Sequence, residues 1–324
     1  MQAKPSRPPR RPAAASPGKS RAVLGQLSDM DLRLLRVFKS VADCGGMAAA
    51  ELELNIGTST VSRHVKDLET RLGLVLCRRG RAGFALTAEG QRVYEETERL
   101  LAAVDVFRSG VDDIHQRMGG QLAVAVFDKT ASNPQARIGE AIALFAGRAP
   151  EVGLQMHVAS INAIERGLID GSFQVGIIPA HRHSQSLLYD ELFTESMQLY
   201  CGAGHPLFGA DHSALDWDGL RAWGFAGLGY HSPNMELSHG ARLPRKATGF
   251  DQESIATLIL SGRYLGFLPD HYAEAFERSS RMQAVAPQRL RYECQFVCML
   301  RRSPQPSRAA QAFRECLLAA HAVG

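Results

Sequence analysis

The segment from residue 46 to residue 86 constrains the fold most, because it predicts two short helices joined by a tight turn. Met47–Leu54 consists of strong helix formers, and residues 55–57 supply the turn. The second helix, Thr58–Leu72, has apolar residues at helical spacing that are expected to pack inward, namely Val61, Val65, Leu68 and Leu72. Its exposed N-terminal face is then hydroxyl-bearing and basic, as the recognition helix of a helix-turn-helix requires. An ordinary surface helix is the alternative for this segment taken alone.

Flanking segments predict a winged form of this motif. Residues 31–44 form an amphipathic helical pattern, which ends at two glycines, and its apolar stripe comprises Leu34, Leu35, Phe38, Val41 and Ala42. Residues 76–79 and 84–86 are short strand-like runs around a turn that contains Arg81. A hairpin with a basic tip is suited to lie along phosphates beside a DNA groove.

The charge distribution also favours a polyanion-binding surface in the first part of the chain. Residues 1–86 contain fifteen Lys and Arg against seven Asp and Glu, a net charge of +8, whereas the whole chain carries +4 and the remainder therefore −4. Residues 1–28 are rich in Pro, Ala, Ser, Arg and Lys and predict a disordered basic tail. This tail either adds non-specific attraction to DNA or is a leader without a specific role.

Ten residues of this region are candidates for DNA contact. Arg63 is the best candidate for a bidentate contact to guanine. The other candidates for contacts to base edges are Thr58, Ser59 and Thr60. The candidates for phosphate contacts are Ser62, Lys66, Arg78, Arg79 and Arg81. His64 lies on the same helical segment and completes the predicted DNA-binding set.

Residues 88–118 predict one long helix that begins after a cap at Thr87. Positions at alternating steps of four and three follow the 3.5-residue period of a coiled-coil seam, and seven of the eight are apolar: Val93, Thr97, Leu100, Val104, Phe107, Val111, Ile114 and Met118. We expect this seam to pair with a second copy of the chain, and packing on its own domain is the alternative.

Beyond residue 118 the pattern changes to alternating strands and helices, which predicts parallel βαβ units. The first set comprises strands at 121–127, 154–159 and 173–178 and helices at 133–149 and 161–169. The second set comprises strands at 197–201, 225–227 and 265–268 and a helix at 251–261. A final strand at 295–300 and a helix at 308–320 close the chain.

Residues 31–94 resemble the winged helix-turn-helix of LysR-type transcriptional regulators over about sixty positions without a gap. The matching positions are Ala49, Ala50, Leu54, Val61, Ser62, Arg63, Leu68, Glu69, Leu72, Gly73, Leu76, Arg78, Leu86, Thr87 and Gly90. The sequence departs from the family pattern at 57–59, where Gly-Thr-Ser replaces Ser-Gln-Pro, and at Cys77, which replaces a Phe. Three short segments resemble the effector domain of the same family, namely residues 168–177, 205–207 and 262–269.

The resemblance implies an α/β protein with an N-terminal winged helix-turn-helix, a long linker helix and a two-lobed effector domain of the type 2 periplasmic-binding-protein-like fold. The expected boundaries are 29–87, 88–118 and 119–324, with lobe I at about 121–196 and 294–324 and lobe II at about 197–293. Family members pair through the linker helix as homodimers and often form homotetramers.

A small ligand is expected between the two lobes, where loops follow strands and precede helices. The candidate effector-binding residues are Thr130, Ser132, Asn133, Ser160, Ile161, Asn162, Pro179, Gly227 and Phe267. Helix N-termini offer unpaired N–H groups and a positive dipole end, which favours an anionic effector such as a carboxylate. Ordinary loop or capping roles are the alternative for each residue.

Metal, redox and enzyme functions receive little support from the sequence. His181 and His183 lack further ligands nearby, and Cys294 and Cys298 on one strand would lie about 13 Å apart, too far for a disulfide. Six cysteines without dense pairing favour a reducing cytoplasm, and there is no signal-like or membrane-spanning apolar run. Nucleophile-elbow, P-loop, zinc-protease and dinucleotide-binding motifs are missing. We therefore expect no enzyme activity, no metal and no cofactor.

The sequence therefore predicts a cytoplasmic, sequence-specific DNA-binding regulator of LysR type that a small effector controls. Its expected partners are double-stranded operator DNA, the effector and a second copy of the chain, with RNA polymerase as a further candidate. A solute-binding or sensor protein without specific DNA binding is the alternative, and a DNA-architectural protein would leave the α/β residues without a role. Dimer and tetramer, and activation and repression, are open alternatives.

Overall fold

The computed structural model describes residues 27–80, 83–114 and 118–322. Residues 1–26 of the predicted tail lie outside this part. Ser28, which we assigned to the tail, instead caps the first helix through a reciprocal capping box with Asp31. Contacts divide the chain into two units, one ending at Glu98 and the other beginning at Arg99.

The first unit contains the predicted helices and hairpin. Its elements are α1 (Asp29–Asp43), α2 (Met47–Leu54), α3 (Thr58–Leu72), β1 (Cys77–Gly80), β2 (Gly83–Leu86) and the beginning of α4 (Ala88–Ile114). The strands β1 and β2 pair antiparallel, with Arg78 opposite Ala85. The predicted bounds of α2 and α3 are confirmed, and α1 begins two residues before the predicted start.

The apolar stripes of α1 and α3 form the core of this unit. The buried residues include Leu34, Leu35, Phe38 and Val41 of α1 and Val61, Val65 and Leu68 of α3. An ion pair between Arg71 and the buried carboxylate of Asp31, 2.7 Å apart, joins the end of α3 to the start of α1. These contacts fix the orientation of α3, which carries most of the predicted DNA-binding residues.

The junction between the hairpin and α4 is tightly packed. The N–H of Gly90 donates to the hydroxyl of Thr87 at 2.8 Å, which confirms the predicted cap. A Cβ atom at Gly90 would lie 2.0 Å from the carbonyl oxygen of Leu76, so only glycine fits this close approach.

The second unit is an α/β structure. Its strands are β3 (Gly120–Val126), β4 (Val152–Val158), β5 (Val175–Pro179), β6 (Leu187–Gly202), β7 (Phe225–Leu228), β8 (Arg245–Gly249), β9 (Leu265–Pro269), β10 (Met282–Ala284) and β11 (Arg291–Arg301). Its helices after α4 are α5 (Ile138–Arg148), α6 (Ile161–Asp170), α7 (Pro233–Gly240), α8 (Gln252–Leu260), α9 (Asp270–Arg278) and α10 (Arg308–Ala322).

The strands of this unit form one sheet in the order β4-β3-β5-β11-β6-β9-β7-β8, with β10 paired to β6. The strand β3 pairs parallel with β4 and β5, and β7 pairs parallel with β8 and β9. This confirms the predicted βαβ units. Two long antiparallel strands, β6 and β11, lie between the two parallel sets and connect them.

Several elements differ from the prediction. The helix expected at 133–149 begins at Ile138, because Thr130–Ser132 form a 3-10 turn and Arg137 has a positive φ of 45°. The strand expected at 197–201 begins ten residues earlier, at Leu187. We did not predict α7, α9, β8 or β10. Among the helices of the described residues, none is long and apolar enough to cross a membrane.

Candidate functional sites

The recognition face of α3 consists of exposed side chains. Ser59, Arg63 and Lys66 are spaced by four and three residues, so they lie on one side of the helix, opposite the buried residues Val61 and Val65. Within the described chain, neither Arg63 nor Lys66 forms an ion pair, so both charges are available to an external polyanion. The helix begins after Gly57 without a side-chain cap, and Ser59 lies in its first turn.

The other hydroxyl residues of α3 are partly occupied within the protein. Thr58 donates a hydrogen bond from its hydroxyl to the carboxylate of Glu51, which connects the end of α2 to the start of α3. Thr60, Ser62 and His64 are half-buried. Among the hydroxyl candidates, Ser59 is therefore the most exposed.

The hairpin supplies only one described side chain of the predicted phosphate-binding set. Arg78 is exposed on β1. The side chain of Arg79 and the whole of Arg81 lie outside the described part, so these two candidates stay predictions. Glu69 of α3 accepts backbone hydrogen bonds from Leu76 at 2.7 Å and Cys77 at 3.2 Å, which fixes the first strand against the recognition helix.

A polar cluster connects α1 to the first turns of α4. The carboxylate of Asp43 contacts the amine of Lys39 at 2.7 Å and accepts a hydrogen bond from the hydroxyl of Tyr94 at 2.6 Å. Tyr94 also donates to Glu98 at 3.1 Å. Burial, together with the hydrogen bond to Asp43, raises the pKa of Tyr94 well above its ordinary value. This cluster fixes the start of the linker helix to the DNA-binding unit.

A cavity of about 260 Å³, counted with its opening to solvent, lies in the second unit where the two parallel sets of strands meet. Its lining residues are Phe127, Ile161, Pro179, Glu195, Met197, Leu228, Ser232, Pro233, Asn234, Gln252, Tyr292 and Cys294. They come from the ends of β3, β5 and β7, from the starts of α6, α7 and α8, and from β6 and β11. The cavity therefore lies where the sequence predicted an effector site.

Two of the nine predicted effector-binding residues, Ile161 and Pro179, line this cavity. Ser160 and Asn162 are their neighbours at the start of α6, where Ser160 is the N-cap without a side-chain capping bond. Asn162 accepts a hydrogen bond from Arg182 at 3.2 Å.

Three more predicted residues follow β3 and have contacts within the protein. The hydroxyl of Thr130 donates to the carbonyl oxygen of Phe127 at 3.2 Å, an ordinary turn contact. Ser132 lies 3.0 Å from Nδ1 of His271, and Asn133 donates to Oε1 of Glu195 at 3.2 Å. Ser132 and Asn133 thus connect the first parallel set to His271 of α9 and Glu195 of β6.

Gly227 and Phe267 do not line the cavity, contrary to our prediction. Phe267 is fully buried in the core, with its ring 5.9 Å from that of Phe225 and 5.2 Å from that of Tyr292. Gly227 lies inside β7, where a Cβ atom would approach Phe225 and Arg245. Tight packing within the second parallel set, rather than ligand contact, accounts for both residues.

The sequence prediction missed a buried carboxylate at the cavity, that of Glu195. Glu195 is 4% exposed, and its Oε1 lies 2.9 Å from Nε2 of His271 and 3.2 Å from the amide nitrogen of Asn133. Because residues on a strand alternate between faces, the inward positions of Phe193 and Met197 place Glu195 inward as well. This alternation was the available sequence signal, but β6 was predicted to begin only at residue 197.

Two further polar residues meet beside Glu195. The backbone N–H of Gln252 donates to Oδ2 of Asp128 at 2.7 Å, across the two parallel sets. Within the described chain, Oδ1 of Asp128, Oε1 of Gln252 and the hydroxyl of Tyr230 are buried without a hydrogen-bond partner. Burial, with the nearby charges of Asp251 and Glu195, raises the pKa of Asp128 to about 6. Buried polar atoms without partners are uncommon and indicate a place where a ligand or water binds.

The side chain of Lys129 crosses between the two parallel sets near this group. Its amine lies 2.5 Å from the carboxylate of Glu253 in α8 and 4.6 Å from the centre of the Tyr272 ring in α9. Tyr272 donates to the same carboxylate at 2.8 Å. Together with the Asp128–Gln252 bond, these contacts join the loop after β3 to α8 and α9.

His181, His183, Cys294 and Cys298 were considered above as candidates for a metal or redox site. His183 is exposed against Tyr189, and His181 is half-buried with its ring 5.2 Å from that of His231. No group of three or more metal-binding side chains occurs among residues 27–80, 83–114 and 118–322. Cys294 and Cys298 are buried as free thiols, and burial raises the pKa of both above the ordinary range.

Comparisons with known proteins agree with this division into a DNA-binding unit and a ligand-binding unit. Residues 32–91 match the model of the bacterial regulatory helix-turn-helix protein, lysR family, and residues 115–322 match that of the LysR substrate binding domain. The chain is 37% identical over 294 residues to the HTH-type transcriptional activator BauR of Pseudomonas aeruginosa, covering 91% of this chain and 96% of BauR.

The fold is similar to that of solved structures. The crystal structure of CbnR, a LysR family transcriptional regulator, superposes with a TM-score of 0.58 at 20% identity over 90% of this chain and 99% of CbnR. Full-length CbnR complexed with its target DNA gives a TM-score of 0.60 at the same identity and coverage. At this identity the likeness supports the fold.

Proposed function

Because this chain belongs to the LysR family of transcriptional regulators, we propose that it uses α3 and the hairpin to read an operator and the cavity to sense an effector. The chain is a DNA-binding regulator with an effector-binding domain. We propose below which residues bind DNA and which bind the effector.

The exposed, hydroxyl-bearing and basic face of α3 carries the DNA-binding part of the proposal. Arg63 lies at the centre of this face, with Ser59 one turn before it and Lys66 about one turn after it. A guanidinium in this position suits bidentate recognition of guanine in the major groove, whereas an amine suits phosphate. Thr60, Ser62 and His64 flank this face, and Arg78 extends it toward the hairpin.

The linker helix supports assembly into a homodimer. Phe107 is 71% exposed and Val111 is also exposed, and both lie on the predicted seam of α4. A phenylalanine that stays this exposed on a regular apolar stripe is typical of a surface that a partner covers. A dimer would place two copies of α3 in successive major grooves of a pseudo-palindromic operator.

A second self-contact surface supports the further step to a tetramer. Met156 and Val158 are exposed on β4, which is an edge strand of the sheet, and Leu144 is exposed on α5 beside it. Edge strands with exposed apolar side chains favour pairing with another chain. We propose that effector domains pair through this edge while linker helices pair through the α4 seam.

Effector binding is proposed to change how the two parallel sets of strands close on each other. Three contacts join the two parallel sets. Lys129 and Asp128 contact Glu253 and Gln252 of α8, and Asn133 contacts Glu195 of β6, which lies between the sets. A ligand shifts the equilibrium between an open and a closed arrangement of the two sets only as far as its affinities for the two arrangements differ. We propose that this shift rearranges the DNA-binding units of the oligomer.

The direction of regulation is proposed from the similarity of this chain to BauR. BauR is named a transcriptional activator, so we propose that this chain also activates transcription, through contact with RNA polymerase and in the cytoplasm, where operator DNA lies.

Substitution of Arg63 tests the recognition assignment. We expect Arg63→Ala to cost about 1–3 kcal/mol of operator binding and to relax base preference, because it removes a bidentate base contact. The measurement is footprinting of the upstream DNA, with Arg78→Ala as the matched control, which should weaken binding uniformly across sequences. Unchanged operator footprints with Arg63→Ala would refute the assignment.

A further inference from the structure

We propose that the cavity binds a small zwitterion, a molecule with one ammonium group and one carboxylate, and that Glu195 and Gln252 bind the ammonium group. This inference rests on the proposed function, in which the cavity is the effector site, and names the chemical class of the effector.

Two buried acceptors that line the cavity favour a ligand that donates hydrogen bonds. Gln252 lines the cavity, is 2% exposed, and its Oε1 has no partner in the described part of the chain. Both hydrogen bonds that Glu195 accepts within the described residues end on Oε1, which leaves its second oxygen available to a ligand. An ammonium group has three donors and no acceptor, so it matches these atoms.

The charge around these acceptors is also negative. Asp128 lies directly behind Gln252, bound to its backbone N–H, and its free Oδ1 is buried. Among the described residues that line the cavity, none is lysine or arginine, and the nearby amine of Lys129 is paired with Glu253. A ligand with only negative charge would face the carboxylate of Glu195, and buried like charges repel each other.

The start of α6 at the cavity favours a carboxylate. Ile161 lines the cavity, and the N-cap Ser160 makes no side-chain capping bond. Unpaired N–H groups and the positive dipole end of a helix stabilise an anion. The starts of α7 and α8 differ. Pro233 has no N–H and Ser232 accepts a hydrogen bond from the N–H of Met235, and the carboxylates of Asp128 and Asp251 accept hydrogen bonds from the first N–H groups of α8. The cavity therefore combines buried acceptors with one helix N-terminus that has no side-chain cap.

The two charged groups of the zwitterion must lie close together, because the acceptors and the start of α6 line the same cavity. An amino acid with a short carbon chain meets this requirement.

Calorimetric titration of the full-length protein with matched four-carbon probes tests this inference. The probes are 2-, 3- and 4-aminobutanoate, with butanoate and butylamine as controls that each lack one charge. We expect at least one aminobutanoate to bind at least tenfold more tightly than both controls. Glu195→Gln and Gln252→Leu should each weaken that binding at least tenfold, whereas Glu274→Gln, which removes an exposed acid of α9, should leave it unchanged.

The same samples are measured for binding to the upstream DNA. This measurement distinguishes failure of the zwitterion proposal from failure of the proposed function. Retained DNA binding with tight aminobutanoate binding supports both proposals. If DNA binding is retained but no aminobutanoate binds, or butanoate binds equally well, the zwitterion is refuted and the regulator is not. Equal aminobutanoate affinity in the wild type, Glu195→Gln and Gln252→Leu also refutes the assignment of the ammonium group. Loss of DNA binding by the wild type would refute the proposed function itself.

Discussion

Asp128 illustrates the cost of burying a carboxyl group next to a residue of the proposed effector site, Gln252. Its carboxyl group is largely buried, accepts one backbone hydrogen bond from Gln252, and has one oxygen without a partner in the described chain. The groups that face it are Asp251, Glu195, Tyr230, Tyr272 and Lys129. Burial raises the pKa of Asp128 to about 6 together with the charges of Asp251 and Glu195, whereas the N–H of Gln252 and the amine of Lys129 oppose the rise.

The raised pKa of Asp128 predicts a pH-dependent stability of the ligand-free protein. The folded state binds the proton more tightly than the unfolded state, so the contribution of Asp128 is most favourable below pH 4 and is lost as the pH rises through 6. We expect Asp128→Asn to stabilise the protein at pH 7 by on the order of 2 kcal/mol, because one pKa unit corresponds to about 1.4 kcal/mol. Asn retains an oxygen for the N–H of Gln252.

Chemical denaturation at pH 5, 6, 7 and 8 measures this effect. Asp251→Asn is the matched control, because hydrogen bonds to Ser254 lower the pKa of that carboxyl and its removal should destabilise at pH 7. An Asp128→Asn variant that is less stable than the wild type at pH 7 would contradict the account.

Individual residues show why the DNA-binding face of α3 could be predicted from the sequence, whereas the cavity could be predicted only in part. Ser59, Arg63 and Lys66 were predicted because a helix with a clear apolar stripe fixes its own outward face. Glu195 and Gln252 were missed because they meet only after separate elements pack together, and no local spacing connects residues 57 positions apart. Phe267, predicted to contact the ligand, is fully buried inside β9, and the local pattern of an aromatic residue on a strand does not distinguish a core position from one that faces a ligand.

At the scale of elements, the linker helix α4 carries a prediction of its own. Phe107 and Val111 lie on a regular seam and are exposed in the single chain. We expect Phe107→Glu to weaken dimerisation about a hundredfold or more, because it removes a buried aromatic anchor and places two like charges at the interface. Sedimentation equilibrium measures the association constant.

The control for this substitution is Asp105→Lys, which changes an exposed residue two positions from Phe107 and off the seam. It should leave the dimer intact. A Phe107→Glu variant that dimerises like the wild type would show that α4 is not the dimer interface.

Elements with strong periodicity were predicted well, and those defined by backbone turns were not. The bounds of α3 follow from apolar spacing and the glycine after Leu72, which adopts a positive φ of 66°. The start of α5 was missed because Arg137 takes a left-handed conformation that no residue type at this position indicates. The short helix α7 was missed because its apolar residues, in the sequence PNMELSHG, form no stripe.

At the scale of the whole molecule, the chain separates reading DNA from sensing a ligand. Net positive charge is concentrated in the first 86 residues, and the acid-containing cavity lies in the second unit. The βαβ units were predictable from alternating strands and helices. The single sheet was not, because the pairing of β6 with β11 joins segments about a hundred residues apart.

Fluorescence anisotropy of the purified full-length protein against its own upstream DNA, repeated across salt concentrations, tests the central claim most directly. We expect tight, sequence-selective binding whose logarithm falls steeply with the logarithm of salt concentration, because Arg and Lys side chains release counterions from phosphates. Replacing Arg78 with Ala should reduce this slope by about 1. Binding that is weak and equal for upstream and unrelated DNA would contradict the account and favour a protein that only binds a small molecule.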